Sequence, residues 1–276
     1  MNYIICFVSV FVFCFSQHTP LLDLYDFSTY TQHRLDKKLR EISGLATTPD
    51  GRLFAHDDER GIVYQLNPKT GETIKYFKLG RFITPYNEDF EGIAYTPKGF
   101  FMITSNGRLY HFQEGKHNQS VPYTTYNLGL DEAYDLEGLC YDPKQKQLLI
   151  SAKGTQKKTY KNQRAVFSFS LTNMSLNKTP FFLLDQSYIK TFSVENKFSP
   201  SGIEYHKESD HFFIIAARGN LLIEVDRNGT LIQLKTLDTS VHYQPEGIAL
   251  LPPYLLISDE GKKHGTLTRY KLKEAK

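Results

Sequence analysis

Tryptophan is absent from this chain of 276 residues, and cysteine occurs three times. Cys6 and Cys14 fall within the first sixteen residues, which leaves Cys140 alone in the remainder. One thiol forms no internal disulfide, so the fold must stand on its packed core. Basic runs interleaved with aromatics are missing and the formal net charge is only +3, which argues against a nucleic-acid partner. Beyond residue 16 no apolar run reaches the roughly 18 residues that a membrane-spanning helix needs. The chain carries no Gly-x-Ser-x-Gly elbow, no phosphate-binding Gly-Lys-Ser/Thr loop and no His-Glu-x-x-His pair. His111, His206, His242 and His264 are scattered without zinc-like spacing.

Phenylalanine and tyrosine are plentiful, at 20 and 18. Flat rings favour strands, where they pack on a pleated surface. The opening "MNYIICFVSVFVFCFS" is uncharged and apolar, too short to span a bilayer comfortably. It is expected to be a secretory signal, with a cut near Ser16 and a mature single domain over 17–276. The mature protein is then secreted, periplasmic or held in the cell envelope. Contact with a membrane arises only if this segment stays uncleaved or if Cys14 carries a lipid. Cys140, inside "EGLCYD", is expected to be a buried inert thiol.

One phrase recurs five times: "EISGL" (Glu41 to Leu45), "DFEGI" (Asp89 to Ile93), "DLEGL" (Asp135 to Leu139), "SPSGI" (Ser199 to Ile203) and "QPEGI" (Gln244 to Ile248). The glycines lie 48, 46, 64 and 45 residues apart by subtraction. A period near 45 in a strand-rich chain predicts propeller blades of four strands. After each glycine comes a short strand, a turn, a strongly apolar strand such as "GFFMITSN" or "QLLISAK", an alternating third strand and a fourth. The long interval either hides part of a sixth blade or holds two insertions, "TQKKTYKNQ" (155–163) and "DQSYIKTFSVENKF" (185–198). Insertions are the simpler reading, giving an all-β propeller of five blades. The last unit lacks a fourth strand, and the N-terminal "LLDLYDFS" (Leu21 to Ser28) is expected to supply it and close the ring.

The phrases "EISGLATTPDGRLFAHDDERGIVYQL", "DFEGIAYTPKGFF", "DLEGLCYDPKQKQLLIS" and "QPEGIALLPPYLLISDEG" resemble the SdiA-regulated family of bacterial secreted or envelope propellers, across residues 22 to 272. The resemblance implies a grouping with NHL-type, gluconolactonase-type and phytase-esterase-like propellers. It implies fold and location more than activity. Ser43 and Ser201 depart from the pattern where Glu91, Glu137 and Glu246 stand in the other units.

In a propeller the first strand of each blade lines the central channel, so two rings should meet at one mouth. The first is Ser43, Glu91, Glu137, Ser201 and Glu246; the second, at the ends of the second strands, is Asp58, Asn106, Lys153, Arg218 and Glu260. Three carboxylates around a channel repel one another, so either their pKa values rise or a cation sits among them. Glu91, Glu137 and Glu246, with Asn106 and Asp58, offer oxygens to a calcium ion. The competing reading is that these glutamates accept hydrogen bonds and clamp adjacent blades. In the second ring Asp58 and Glu260 form an acidic half, Lys153 and Arg218 a basic half. Such a face orients a zwitterion or anionic sugar, or is simply solvated. His56, two positions before Asp58, is either a general base or a polar strand end. Four acceptor triplets, at Asn118, Asn173, Asn177 and Asn228, matter only in a glycosylating host.

Three functions fit. The first is a non-catalytic binding protein presenting the glutamate mouth to a small molecule or an envelope protein. The second is a metal-dependent hydrolase of lactones or phosphate esters. The third is a scaffold docking a partner on its two insertions.

Overall fold

The second strand of each repeat is apolar on both faces, and a strand of that kind must be covered on both sides. In "QLLISA", Leu148 and Ile150 face one cluster of buried side chains while Leu149 faces another. The computed structural model, which describes residues 20–80, 87–130, 134–154, 160–193 and 195–274, resolves this demand by stacking sheets around an axis. The predicted signal segment 1–16 lies outside the described residues, as does part of the first insertion.

Among the described residues five sheets are present, each built on an antiparallel four-stranded blade, and one of them has a fifth strand. Blade 1 holds Ile42–Thr47, Leu53–Asp57, Ile62–Leu66 and Thr73–Leu79, with Ser120–Val121 added in parallel at its outer edge. Blade 2 holds Phe90–Thr96, Gly99–Thr104, Arg108–Phe112 and Tyr123–Asn127. Blade 3 holds Leu136–Asp142, Gln147–Ala152, Gln163–Ser170 and Ser175–Asp185. Blade 4 holds Ser199–His206, His211–Arg218, Leu221–Val225 and Leu231–Thr236. Blade 5 holds Pro245–Leu251, Tyr254–Asp259 and Thr266–Lys271, completed by Thr31–Arg34 from the N-terminal side.

The ring therefore closes as expected, but with a different segment. "TQHR" pairs with Thr266–Lys271, while Leu21–Leu24 forms a 3₁₀ turn. An outermost strand has no face to bury, so it needs no apolar alternation, and three of its four residues are exposed. The apolar "LLDLY" instead plugs the seam between blades 4 and 5, where Leu22 and Tyr25 are buried. The Glu224 carboxylate of blade 4 accepts the backbone N–H groups of Leu21 (2.8 Å) and Leu22 (3.2 Å) and pins that plug.

The core is divided accordingly into five clusters, one in each seam between neighbouring blades. The excess length between the third and fourth repeats builds no sixth blade. Its second part forms a single turn of helix, Gln186–Ile189, capped by Asp185, and a 3₁₀ turn, Lys190–Phe192. Ile189 and Phe198 from this stretch are buried in the seam between blades 3 and 4.

Candidate functional site

The recurring phrase forms the start of each innermost strand, and every copy contains a break in ladder register at the same place. The breaks fall between Ile42 and Gly44, Phe90 and Gly92, Leu136 and Leu139, Pro200 and Gly202, and Pro245 and Gly247. A bulge leaves one residue unpaired and turns its side chain away from the ladder. The residues so freed include Ser43, Glu91, Glu137, Ser201 and Glu246, the first predicted ring. The glycine after each bulge lets adjacent innermost strands touch. A Cβ on Gly92 would lie 2.6 Å from the Glu137 carbonyl oxygen, and one on Gly202 would lie 2.7 Å from that of Glu246. Such contact leaves the hub nearly solid. The neck lined by Ser43, Glu91, Ser201 and Glu246 has a volume of about 10 Å³, scarcely the room for one water.

The glutamates are held by side chains. Ser43 Oγ of blade 1 donates to Glu91 Oε2 of blade 2 at 3.0 Å, a clamp across a seam. Lys153 Nζ donates to Glu137 Oε1 at 2.5 Å and lies 3.8 Å from Asp135. Gln244 Nε2 donates to Glu246 Oε1 at 2.9 Å and also to Glu260. Ser201 Oγ donates to the Pro245 carbonyl at 2.7 Å, joining blade 4 to blade 5. Of the three glutamates only Glu91 is clamped across a seam; Glu137 and Glu246 are held by Lys153 and Gln244 of their own blades, and these donors are side chains instead of backbone N–H groups.

Burial pushes the carboxyls of Glu91, Glu137 and Glu246 well above the usual carboxylate range, and their mutual repulsion adds to it. The Lys153 ammonium opposes that rise at all three. Contact with the acids raises the Lys153 pKa despite partial burial. A second acidic group sits at the rim near blades 5 and 1. There burial and the charges of Glu41, Asp57 and Glu260 push Asp58 up to about 7. Asp58 Oδ1 is buried with no hydrogen-bond partner among the described residues.

The second predicted ring assembles only in part. The backbone N–H groups of Asp58, Lys153 and Glu260 donate to the carbonyls of Glu41, Asp135 and Gln244. Ser105, not Asn106, makes the matching bond in blade 2, to Asp89. In "TSNG" the glycine follows the register position, Ser105, by two residues, whereas Gly154 and Gly261 follow Lys153 and Glu260 by one, so counting from the glycine misplaces the register. Asn106 is exposed and accepts from Thr104 Oγ1 at 2.8 Å. Arg218 is in register opposite Ser199 but is exposed. His56 is fully buried beneath Gly44, and burial pushes its pKa down to about 4. It is a neutral packing residue whose Nδ1–H donates to the Asp57 carbonyl at 3.0 Å. Cys140 is buried, and burial raises its thiol pKa, as its strand position implied.

The residues that sequence reasoning passed over stand first in the same phrase. Glu41, Asp89, Asp135 and Gln244 form an outer tier of the mouth, and Glu41, Asp89 and Asp135 add three carboxylates to it. The signal was the first letter of each repeat. Among the described residues no three His, Cys, Asp or Glu side chains are grouped as a metal site would group them. Of the two outcomes that the sequence left open for Glu91, Glu137 and Glu246, raised pKa values or a cation among them, the carboxyls are raised, and the Lys153 ammonium stands against Glu137.

Comparison with curated protein sequences finds no significant match. Among solved structures, the Myxococcus xanthus glutaminyl cyclase is similar at 13% identity and a TM-score of 0.59, covering 88% of this chain and 96% of its own. A PQQ-bound aldose sugar dehydrogenase from Streptomyces coelicolor follows at 12% and 0.53, covering 88% and 99%. A calcium-containing Trichoderma reesei enzyme of carbohydrate-active family AA12 stands at 10% and 0.53, covering 87% and 95%. At such identities the likeness is one of fold. Residues 21–252 match the SdiA-regulated family, and the chain belongs to it.

Proposed function

We propose that this protein is a secreted or envelope binding propeller whose acidic mouth captures a small ligand through a cationic group, with calcium the first candidate. One observation carries the reading: among the described residues one ammonium, that of Lys153, pairs with the hub glutamates, while Arg40 pairs with Glu41 at the rim. Glu91, Glu137 and Glu246 remain under-compensated beside Lys153 and are held above their ordinary pKa range. A cation arriving from solution lowers those pKa values and relieves the repulsion. Below the mouth the neck is closed, so a ligand seats on the hub and does not pass through it. Glu246 and Glu260 share Gln244, and Asp58 carries an unpartnered oxygen, so the acidic half of the mouth has acceptor capacity in reserve.

The test is a thermal melt at pH 8.5 with calcium chloride or methylammonium chloride, each against sodium chloride of equal ionic strength. At ten times the Kd, a ligand specific to the folded state stabilises by about 1.4 kcal/mol, or a few degrees. The Glu246→Gln variant should lose most of that shift. Equal melts in all three salts, or a calcium shift that survives Glu246→Gln, would overturn the reading. Calcium-dependent turnover of a lactone or phosphate ester that disappears in Glu246→Gln would replace it with the hydrolase alternative.

A further inference from the structure

At the far end of the channel, where the innermost strands finish, the structure leaves a cavity of about 690 Å³, the size that accommodates a small organic molecule. Its neck is apolar, formed by Leu45, Ile93 and Leu139, and Tyr95 and Tyr141 stand in its wall. One carboxyl group, that of Glu204, also lines it. Two positions after the hub glycine, the other blades carry Ala46, Ala94, Cys140 and Ala249. Blade 4 alone places an acid there. The fold does not need one, since four small apolar side chains serve the same position. A carboxyl in such surroundings costs stability unless something pairs with it.

Among the described residues nothing does so. Glu204 Oε1 accepts the backbone N–H of Tyr205 at 3.0 Å, and among the described residues it has no other hydrogen bond and no ion pair. Asp142 and Asp210, nearby in the seam, are already held by Arg227. The Tyr205 hydroxyl donates to Asp210 at 3.0 Å and so is turned away from Glu204. The remaining titratable groups facing the cavity are Cys140, buried and neutral, Tyr95, Tyr141 and the exposed Lys207.

We propose that this cup is a second binding site, for an organic amine with an apolar or aromatic body, whose ammonium pairs with Glu204 while its body fills the neck. An ammonium satisfies the lone acid, and the Tyr95 and Tyr141 rings offer it further attraction. Leu45, Ile93 and Leu139 exclude a strongly hydrated ion such as calcium, which separates this site from the acidic mouth on the opposite face.

The pH dependence follows from the same geometry. Burial pushes Glu204 up to about 8, so in the empty cup it holds its proton at neutral pH. The amine needs the ionised carboxylate, so its affinity rises as pH rises toward that value. The probe is 2-phenylethylamine, titrated calorimetrically at pH 6.5 and 8.5, with 2-phenylethanol as the uncharged counterpart. The amine should bind about tenfold more tightly at pH 8.5 than at 6.5, and the alcohol should show no such change. Glu204→Gln should weaken the amine at least tenfold at pH 8.5 and abolish the pH dependence. Glu204→Ala, which copies the other blades, should fold at least as stably and bind as weakly. The Glu246→Gln variant at the mouth should leave amine binding intact, so the two sites succeed or fail separately. Equal binding of amine and alcohol, or amine binding that persists unchanged in Glu204→Gln, would overturn the proposal.

Discussion

Replacing Lys153 by methionine removes the ammonium that pairs with Glu137 at the hub while keeping most of its apolar stem. Glu137 is left behind, its side chain only 3% exposed, whereas that of Lys153 is 36% exposed. Stripping one partner from a fully buried pair costs about 3–5 kcal/mol; the wetter lysine end brings the expected cost to about 2–3 kcal/mol. That figure applies only while Glu137 is charged. Its folded-state pKa is already raised above the unfolded value, so the folded protein holds a proton that the unfolded chain releases. Stability therefore falls as pH climbs from the ordinary carboxylate range through the raised value. Without Lys153 the raised value moves higher and the fall becomes steeper. At pH 5.5 the carboxyl simply stays protonated, and Lys153→Met should cost about 1 kcal/mol or less. At about 2–4 °C per kcal/mol, melting should drop roughly 4–12 °C at pH 8.5 and by no more than about 4 °C at pH 5.5. Adding Glu137→Gln to Lys153→Met should recover most of the loss at pH 8.5. Circular dichroism melts of the four proteins at both pH values decide the matter. An equal drop at the two pH values, or a double variant no better than the single one, would refute the account of Lys153 as the hub's counter-ion.

The same substitution should sharpen the response to calcium, since it vacates the place among the glutamates that an external cation would take; melting of Lys153→Met with and without calcium checks this. Arg227→Met should destabilise by about 3–5 kcal/mol in urea titration, because it strands the fully buried Asp142, held bidentately at 2.7 and 3.2 Å across the seam between blades 3 and 4. Arg227→Lys should recover little of that, for want of the planar fork. Gly92→Ala forces a Cβ to within 2.6 and 2.8 Å of backbone atoms of blade 3, and should lower melting by more than 5 °C or prevent folding. Deleting residues 1–34 removes the outer strand of blade 5 and the Leu22 plug together, so size-exclusion chromatography should show self-association through the bared edge.

The blade count and the first ring were legible because both rest on one phrase repeated at nearly constant spacing. The bulge repeats with the phrase, so the residue before each glycine takes the same place in each blade. Less could be read where a segment serves one place only. "TQHR" looks like a loop because an edge strand need bury little, and "LLDLY" looks like a strand because its apolar residues serve a seam plug, which buries Leu22 and Tyr25. The second ring failed at Asn106 because the spacing between the last ladder position and the glycine that marks the turn grows by one residue in blade 2. Lys153 was placed correctly in the sequence, but as half of a basic edge. Only its 2.5 Å contact with Glu137 shows that it answers the repulsion deduced for the glutamates.

The hub separates what the fold requires from what is free to vary. Each glycine touches the next blade's backbone or its own blade's second strand, so adding a methyl there forces blades apart. The bulge residue just before it lies outside the ladder, and its side chain lies outside the apolar clusters that fill the seams. Serine at two of these positions and glutamate at three are therefore equally compatible with closure. Burying three carboxylates against one ammonium gains the propeller nothing that Ser201, bonded to the Pro245 carbonyl, does not already achieve in its own blade. The same contrast holds at the other end of the channel, where four blades need only alanine or cysteine and one carries Glu204. Where a repeat protein keeps a costly side chain at a position its sister repeats fill cheaply, stability does not account for it, and that is the physical ground for the sites proposed at the two ends of the channel.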